Sequence, residues 1–478
     1  MAIKTPERYQ FTVLPSSIDD YVSAEDPVRV YDAMIDAMDS TELRLFEKWN
    51  KAGNSPYDPK SMLKLLVYGY SYGWRSSRKL ERALHHNLSF IWLVGGLKPD
   101  HKTIANFRKN NKDVLKKVLK QCAHICLELD LIAGNCLFVD GTKIRGAASI
   151  NQTKSKAKWQ KKLAEVDKRI EDLLAECEGI DARETGSLVS IDKELQDQKK
   201  LQSKISSLLD RMETEDRSKM NGTDPECINF RGRQGSHAGY NAQIVVDEKN
   251  GLIVSAEVVA ESNDTSQFSN QISQAVEVLG KPCAIASGDA GYANIDNIKE
   301  TVDKEIDVIV PSQKQSLHRP KEEPFGKGKF QYDADKNQYI CPEGKILRYS
   351  HYSKTKGHYL YRMRTPSDCH QCTNFGICTK AQRGRAIIRL RNEALKEDLE
   401  ARYESEQGQS IYKKRKEKVE LPFGHIKRNL GVGGFLVKGL AAVNGEFSIM
   451  GSCFNIARMI TLKGGVKPLI NQLAALQT

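Results

Sequence analysis

The stretch from residue 135 to 311 constrains this chain more than any other. It alternates apolar runs of strand length with helical segments, and two of the runs reach an aspartate. Residues 135–145 read as a buried strand ending in an acid, Asp140. Residues 239–247 and 251–259 read as two strands flanking Glu248-Lys249-Asn250-Gly251, and Asn-Gly between β-rich runs is a strong hairpin signal. A helix is expected at 265–279, a strand over 283–292 ending at Asp289, a helix at 294–303 and a strand at 306–311. Further on, a basic helical segment carries Glu420. Acids at the ends of two neighbouring strands, with a third on a packed helix, can converge on one point. Three carboxylates suit hard divalent cations, Mg²⁺ or Mn²⁺, rather than zinc. Two such ions held roughly 3.5–4 Å apart can activate a water or a 3′-hydroxyl and stabilise the leaving oxygen, which is phosphodiester chemistry. Taken singly, an Asp at a strand end is more often a turn or cap residue, and Glu420 alone would be a solvated helix residue. The weight rests on the combination.

Charge points the same way. The 478 residues hold 73 Lys plus Arg against 61 Asp plus Glu, a net charge of +12 that suits a polyanionic partner. Charge alone does not separate DNA from RNA or from plain solubility. With 40% hydrophobic and 28% charged residues the chain is no collagen, wholly disordered protein or disulfide scaffold. No run approaches the ~18 apolar residues of a membrane helix. The start has no signal-peptide core, so a cytoplasmic chain with no membrane partner is expected. The 11 cysteines are an odd number, to be read as mostly reduced or metal-bound.

Residues 1–120 read as helical. Met62, Leu65, Leu66 and Gly69 fall on one helix face, a second helix is expected at 76–84, and Asp100 can cap a third. Short helices with a basic last member suit a helix-turn-helix-like DNA reader, or equally a small bundle with a solvated basic face. Residues 155–217 lack proline and carry leucines at helical spacing, so they predict an antiparallel helical hairpin inserted into the domain. It would serve as a dimerisation arm or a solvated insertion. Residues 312–340 look like an exposed loop, and helices are expected at 390–428, 440–462 and 467–476.

A cysteine module covers about 339–380. Cys341, the Cys369-x-x-Cys372 pair and Cys378 can form a tetrahedral zinc site, with His370 as a substitute ligand. The alternative is free thiols in a small β-rich insertion. Cys122, Cys126, Cys136, Cys177, Cys227, Cys283 and Cys453 are best read as core or incidental residues. The 411–440 window holds eight bases against two acids, and Lys427 and Arg428 follow Glu420 by about two turns. Such a patch suits phosphate contacts, against the plainer reading of a solvated helix face. Tyr292 would support the Asp289 site, touch a flanking phosphate or simply pack the strand end.

Several motifs recur together: Leu14-Pro15-Ser16-Ser17-Ile18-Asp19-Asp20-Tyr21-Val22, Tyr57-Asp58-Pro59, Arg75-Ser76-Ser77-Arg78, Lys102-Thr103-Ile104-Ala105-Asn106-Phe107-Arg108, Val139-Asp140-Gly141-Thr142-Lys143, Gly288-Asp289-Ala290-Gly291-Tyr292 and Val419-Glu420-Leu421-Pro422-Phe423-Gly424. On these the sequence resembles, over nearly its whole length, the DDE transposases of bacterial insertion sequences, in the group numbered eleven-eighty-two. The resemblance implies an α/β protein with an RNase H-like catalytic core and Asp140, Asp289 and Glu420 as catalytic triad. The expected organisation is a helical DNA-end-binding domain at 1–125, core segments at 126–154 and 219–315, and the inserted hairpin at 155–218. A Cys-rich insertion at 316–388 and C-terminal helices at 389–478 complete it. Arg75, Arg78, Lys102 and Arg108 would recognise terminal inverted repeats, and Tyr292, Lys427 and Arg428 would meet DNA nearer the chemistry. The partners would be double-stranded DNA, transposon ends and target, and a homodimer is expected because two ends are joined in one event. The setting would be the bacterial cytoplasm, at the nucleoid. In the wider family a Tyr and an Arg precede the Glu at fixed spacing; here Tyr412 and Arg415 lie one residue early, Lys416 holds the Arg position, and Glu417 rivals Glu420. Two other classes are an RNase H-like nuclease without strand transfer and a non-catalytic DNA-binding protein derived from a transposase.

Overall fold

A computed structural model describes residues 17–45, 57–180, 188–232, 235–316, 324–355 and 357–476. Leu14–Ser16 of the first motif and the expected hairpin break at 185–187 lie outside them. The architecture is mixed α/β, and the chain divides into two compact units. The first spans 1–264, 270–284 and 414–478; the second spans 265–269 and 285–413. The boundary differs from the expected one: the N-terminal helices share a unit with the strand that bears Asp140.

In the first unit, the Gly235–Asp247 strand pairs antiparallel with Cys136–Arg145 on one side and Ile253–Val259 on the other. The turn between Gly235–Asp247 and Ile253–Val259 is the expected Asn-Gly hairpin, with Gly251 at φ 71°. The Leu440–Leu462 helix is buried over most of its length and packs on the Lys112–Glu128 and Pro59–Ser71 helices. Its small residues permit close approach: a Cβ on Gly445 would lie 3.0 Å from the Lys112 carbonyl oxygen. Ser448 Oγ donates to the Lys116 carbonyl and accepts from Leu119 N–H.

The same helix satisfies the edge of the sheet. The Asn444 amide accepts from Val258 N–H at 2.8 Å and donates to its carbonyl at 2.9 Å. Asn455 does the same to Ile253, at 2.9 and 2.8 Å. Three helical turns cover about 16 Å, and the strand from 253 to 258 also covers about 16 Å, so the two amides meet the strand in step. The odd separation of Ile253 and Val258 would put them on opposite edges of a regular strand, but an irregularity opposite Val245 and Val246 restores the phase.

The Lys156–Ile180 and Leu188–Thr214 helices form the expected hairpin. It has its own core, including Trp159, Leu173, Ile205, Leu208 and Met212. At its base, the Thr153–Ser155 and Lys219–Asn221 strands pair.

In the second unit, Ile285–Ser287 runs parallel to Asp307–Ile309. A separate antiparallel sheet holds five strands, from Gln331–Asp333 to Ala386–Leu390, over Phe330, Tyr339, Leu347, Tyr361, Met363 and Ile387. Part of the segment expected as loop therefore pairs: Gln331–Asp333 and Gln338–Ile340 are strands. The helix expected at 390–428 is broken at Ser405 into Glu393–Glu404 and Glu406–Gly424, and Ser405 Oγ accepts from Gly408 N–H. Among the described residues no helix is long and apolar enough to cross a membrane.

Candidate functional site

Strand alternation fixes what surrounds Asp140. Residues 136–139 are buried, and Asp140 follows them directly opposite Ile244. Gly141 and Lys143 face the other side, with Gln243 and Asn241 as cross-strand neighbours. There Asp264 accepts from the Asn241 and Gln243 amides, both at 2.7 Å, and pairs with Lys143 at 3.6 Å. Gly141 leaves room for this closeness, because a Cβ on it would run into Gln243 Nε2. Asp264 carried no signal in the sequence; the amides that hold it come from a strand paired only in three dimensions.

The face bearing Asp140 and Thr142 meets the Glu406–Gly424 helix and its continuation. Arg415, 5% exposed, donates from Nη2 to Asp140 Oδ1 at 3.0 Å and to the Val139 carbonyl at 3.1 Å. Its Nε also reaches that carbonyl, at 3.3 Å. Lys427 Nζ donates to Thr142 Oγ1 at 2.6 Å. Burial lowers the Lys427 ammonium's affinity for its proton, and the Asp140 carboxylate opposes that. Asp140, Thr142, Arg415 and Lys427 thus form one constellation. The Arg whose register was irregular in the sequence does find a place, since contact depends on helical phase and not on motif spacing.

Glu420 is exposed on that helix, beside buried Val419. Pro422 lies inside the helix, where it lacks an N–H for the carbonyl four residues back. The helix then widens into a π-turn over His425–Asn429. Glu420, Glu417, His425, Arg428 and Arg458 line an open groove of about 650 Å³. Glu417, the rival acid, therefore borders the same groove as Glu420. Burial depresses the His425 imidazole; its Nδ1 lies 3.1 Å from Asn429 Nδ2, and its ring packs edge-on against Phe454.

In the second unit, Asp289 follows the Ile285–Ser287 strand and caps the Ala290–Tyr292 turn, accepting from Gly291 N–H at 2.8 Å. Tyr292 is 1% exposed and packs edge-on against Phe268. It is a core side chain, so the packing reading replaces DNA contact. Asp140 and Glu420 belong to the first unit and Asp289 to the second. Among the described residues, no three His, Cys, Asp or Glu side chains are grouped to hold a metal ion. The acids have the right donor chemistry for Mg²⁺ or Mn²⁺, and Arg415 engages one oxygen of Asp140.

The N-terminal bases divide. Arg75 donates to the Gly434 carbonyl at 2.8 Å and pairs at 3.2 Å with Glu446, whose side chain is fully buried. Glu446 also accepts from the Tyr70 hydroxyl and from Leu436 and Val437 N–H. Arg108, 8% exposed, donates to the Arg75 carbonyl at 2.7 Å. These two guanidinium groups are internal struts, a correction to their expected DNA role. Arg78 and Lys102 are exposed, as a DNA-facing role requires, and so are Lys427 and Arg428. Cys122, Cys126, Cys136, Cys227, Cys283 and Cys453 are buried free thiols, as expected; the Cys177 side chain lies outside the described residues.

Two family models match the chain: a transposase domain (DUF772) over residues 16–110 and a transposase DDE domain over 340–460. The second match includes Glu420, Lys427 and the cysteine module. Together the matches support a DDE transposase. No curated protein matches. A solved structure of the piggyBac transposase synaptic complex with hairpin DNA aligns with 95% of this chain and 80% of its own, at 10% identity and a TM-score of 0.34, too loose to define the fold.

Proposed function

We propose that this protein is a transposase that binds the ends of an insertion sequence, cleaves DNA there and joins the freed 3′-hydroxyl to target DNA. The observation that carries the reading is the transposase DDE match across the helix that bears Glu420, whose buried face holds Arg415 against Asp140. In this reading Asp140, Asp289 and Glu420 are the catalytic acids of an RNase H-like core. Bound Mg²⁺ or Mn²⁺ would supply Lewis-acid activation of the attacking and leaving oxygens. Arg415 orients the Asp140 carboxylate and the strand carbonyl before it. Lys427 and Arg428 offer cationic contacts to phosphates, and exposed Arg78 and Lys102 contribute to end recognition. Two copies of the chain would hold the two ends.

The test is a cleavage and strand-transfer assay on a labelled duplex carrying the element's flanking terminal repeat, with Mg²⁺ or Mn²⁺. Metal-dependent cutting at the repeat boundary, followed by joining, should be lost in Glu420→Gln and retained in Glu417→Gln. Cutting without joining would make the protein a nuclease. Binding without cutting, identical in wild type and variant, would make it a DNA-binding relative without catalysis.

A further inference from the structure

The 364–385 segment of the second unit has little regular structure besides the short Ser367–His370 helix, yet it folds back on the five-stranded sheet. The buried cluster beneath it holds six residues. An irregular segment of this length beside so small a core calls for a further cross-link.

The segment's cysteines supply the means. Cys341, Cys369, Cys372 and Cys378 all line one cavity of about 30 Å³, floored by Phe330, Leu347 and Met363. A guest the size of a water molecule needs about 10–15 Å³ on the same measure. Cys341, Cys369 and Cys372 each lie close enough to Cys378 to act on it electrostatically. Two of them already accept backbone hydrogen bonds: Lys345 N–H to Cys341 Sγ at 3.3 Å, and Arg385 N–H to Cys369 Sγ at 3.4 Å. Tight turns hold the donors in place, with Gly344 at φ 74° and Gly384 at φ 72°. A Cβ on Gly384 would lie 3.1 Å from Cys369 Sγ, so the loop has to pass the thiol closely. The Arg385 guanidinium adds positive charge and ties the loop together, donating to the Cys378 and Phe325 carbonyls at 3.1 and 2.9 Å.

The thiols rim the cavity without yet forming a closed ligand set. Each thiol has a single side-chain torsion, χ1, by which it can reorient. We infer that Cys341, Cys369, Cys372 and Cys378 close on one structural zinc ion that staples the 364–385 segment to the sheet. Four thiolates around a borderline-soft d¹⁰ cation form a complete tetrahedral shell, with no open position for chemistry. Binding releases the thiol protons to solvent. His370 is not a ligand in this assignment: it is exposed, stacks edge-on against Phe375 and does not line the cavity. The inference stands independently of the transposase reading and of the carboxylates.

The full-length chain, produced with zinc in the medium, should carry close to one zinc per chain by elemental analysis. Cys369→Ser/Cys378→Ser should lose most of it, and Cys283→Ser, which alters a buried thiol of the first unit, should keep it. Cobalt(II) added to wild-type protein stripped of metal should give a thiolate charge-transfer band that saturates near one equivalent and disappears when zinc is added. This second measurement does not depend on a variant that folds. Wild-type protein with far less than one zinc, no cobalt–thiolate band and four freely reactive thiols would overturn the inference. So would zinc retained in the double variant, or a Cys369–Cys372 disulfide in protein prepared without oxidant.

Discussion

Asn455→Ala is the sharpest test of how the Asp140-bearing sheet is supported. The Asn455 amide makes both hydrogen bonds that the exposed edge of Ile253 can offer, at 2.9 and 2.8 Å, and it is fully buried. Alanine removes the partner and leaves a buried N–H and a buried carbonyl unpaired. Each such loss costs about 1–3 kcal/mol. Because the variant also no longer buries the Asn amide, a net cost of about 2–4 kcal/mol is expected. At about 1.4 kcal/mol per decade, amide hydrogen exchange at Ile253 should accelerate roughly 30- to 700-fold. Exchange is the right assay because it reads local opening without assuming that a two-unit chain unfolds in one step. Asn444→Ala should act likewise at Val258. The two sites lie about 16 Å apart along the helix, so their effects should add to within about 0.5 kcal/mol. Unchanged exchange at Ile253 in a folded Asn455→Ala protein would refute the edge-capping account. Strong non-additivity would mean instead that the helix and strand detach as one piece.

Glu446→Ala should destabilise the first unit by about 3–5 kcal/mol, since it leaves the Arg75 charge without its buried partner; urea denaturation would read it, and a cost under about 1 kcal/mol would sink the strut assignment. On the transposase reading, Arg415→Ala should slow cleavage about 100-fold through a misplaced Asp140, while Arg415→Lys, which keeps the charge and loses the fork, should restore little; DNA affinity measured in parallel should stay within a few-fold. Lys427→Ala should weaken binding across DNA sequences alike and reduce the salt slope by about one, which titrations at several salt concentrations would show. For His425, burial holds the folded-state pKa below the unfolded value of about 6.5, so the unfolded chain takes the proton first. Its contribution to stability is complete above about pH 6.5 and is lost as pH falls below it toward the folded-state value. Denaturation midpoints should therefore fall more steeply over that window in wild type than in His425→Gln.

Much of the local structure was legible in the sequence. Asp100 caps the helix it precedes, the Asn-Gly turn joins the strands it separates, and leucine spacing describes the 156–214 hairpin. These follow from backbone preferences and side-chain periods within a few residues. The placement of Asp140 just beyond a buried run and of Asp289 just beyond a strand was legible for the same reason. Tertiary structure decided the rest. Arg75 and Arg78 are near neighbours with the same chemistry, yet one is tied to Glu446 and the other faces solvent. That outcome depends on a partner 371 residues away. Arg415 meets Asp140 across 275 residues, a contact set by the helix's phase against the strand, which motif spacing cannot express. Asp264 owes its place to the Asn241 and Gln243 amides, 23 and 21 residues earlier, which only the folded chain brings to it. The sequence determined which groups the chain would carry and on what element each would sit. Which charges are spent inside the protein and which stay free for a partner was set by long-range packing, because burial is a property of the neighbours a side chain meets.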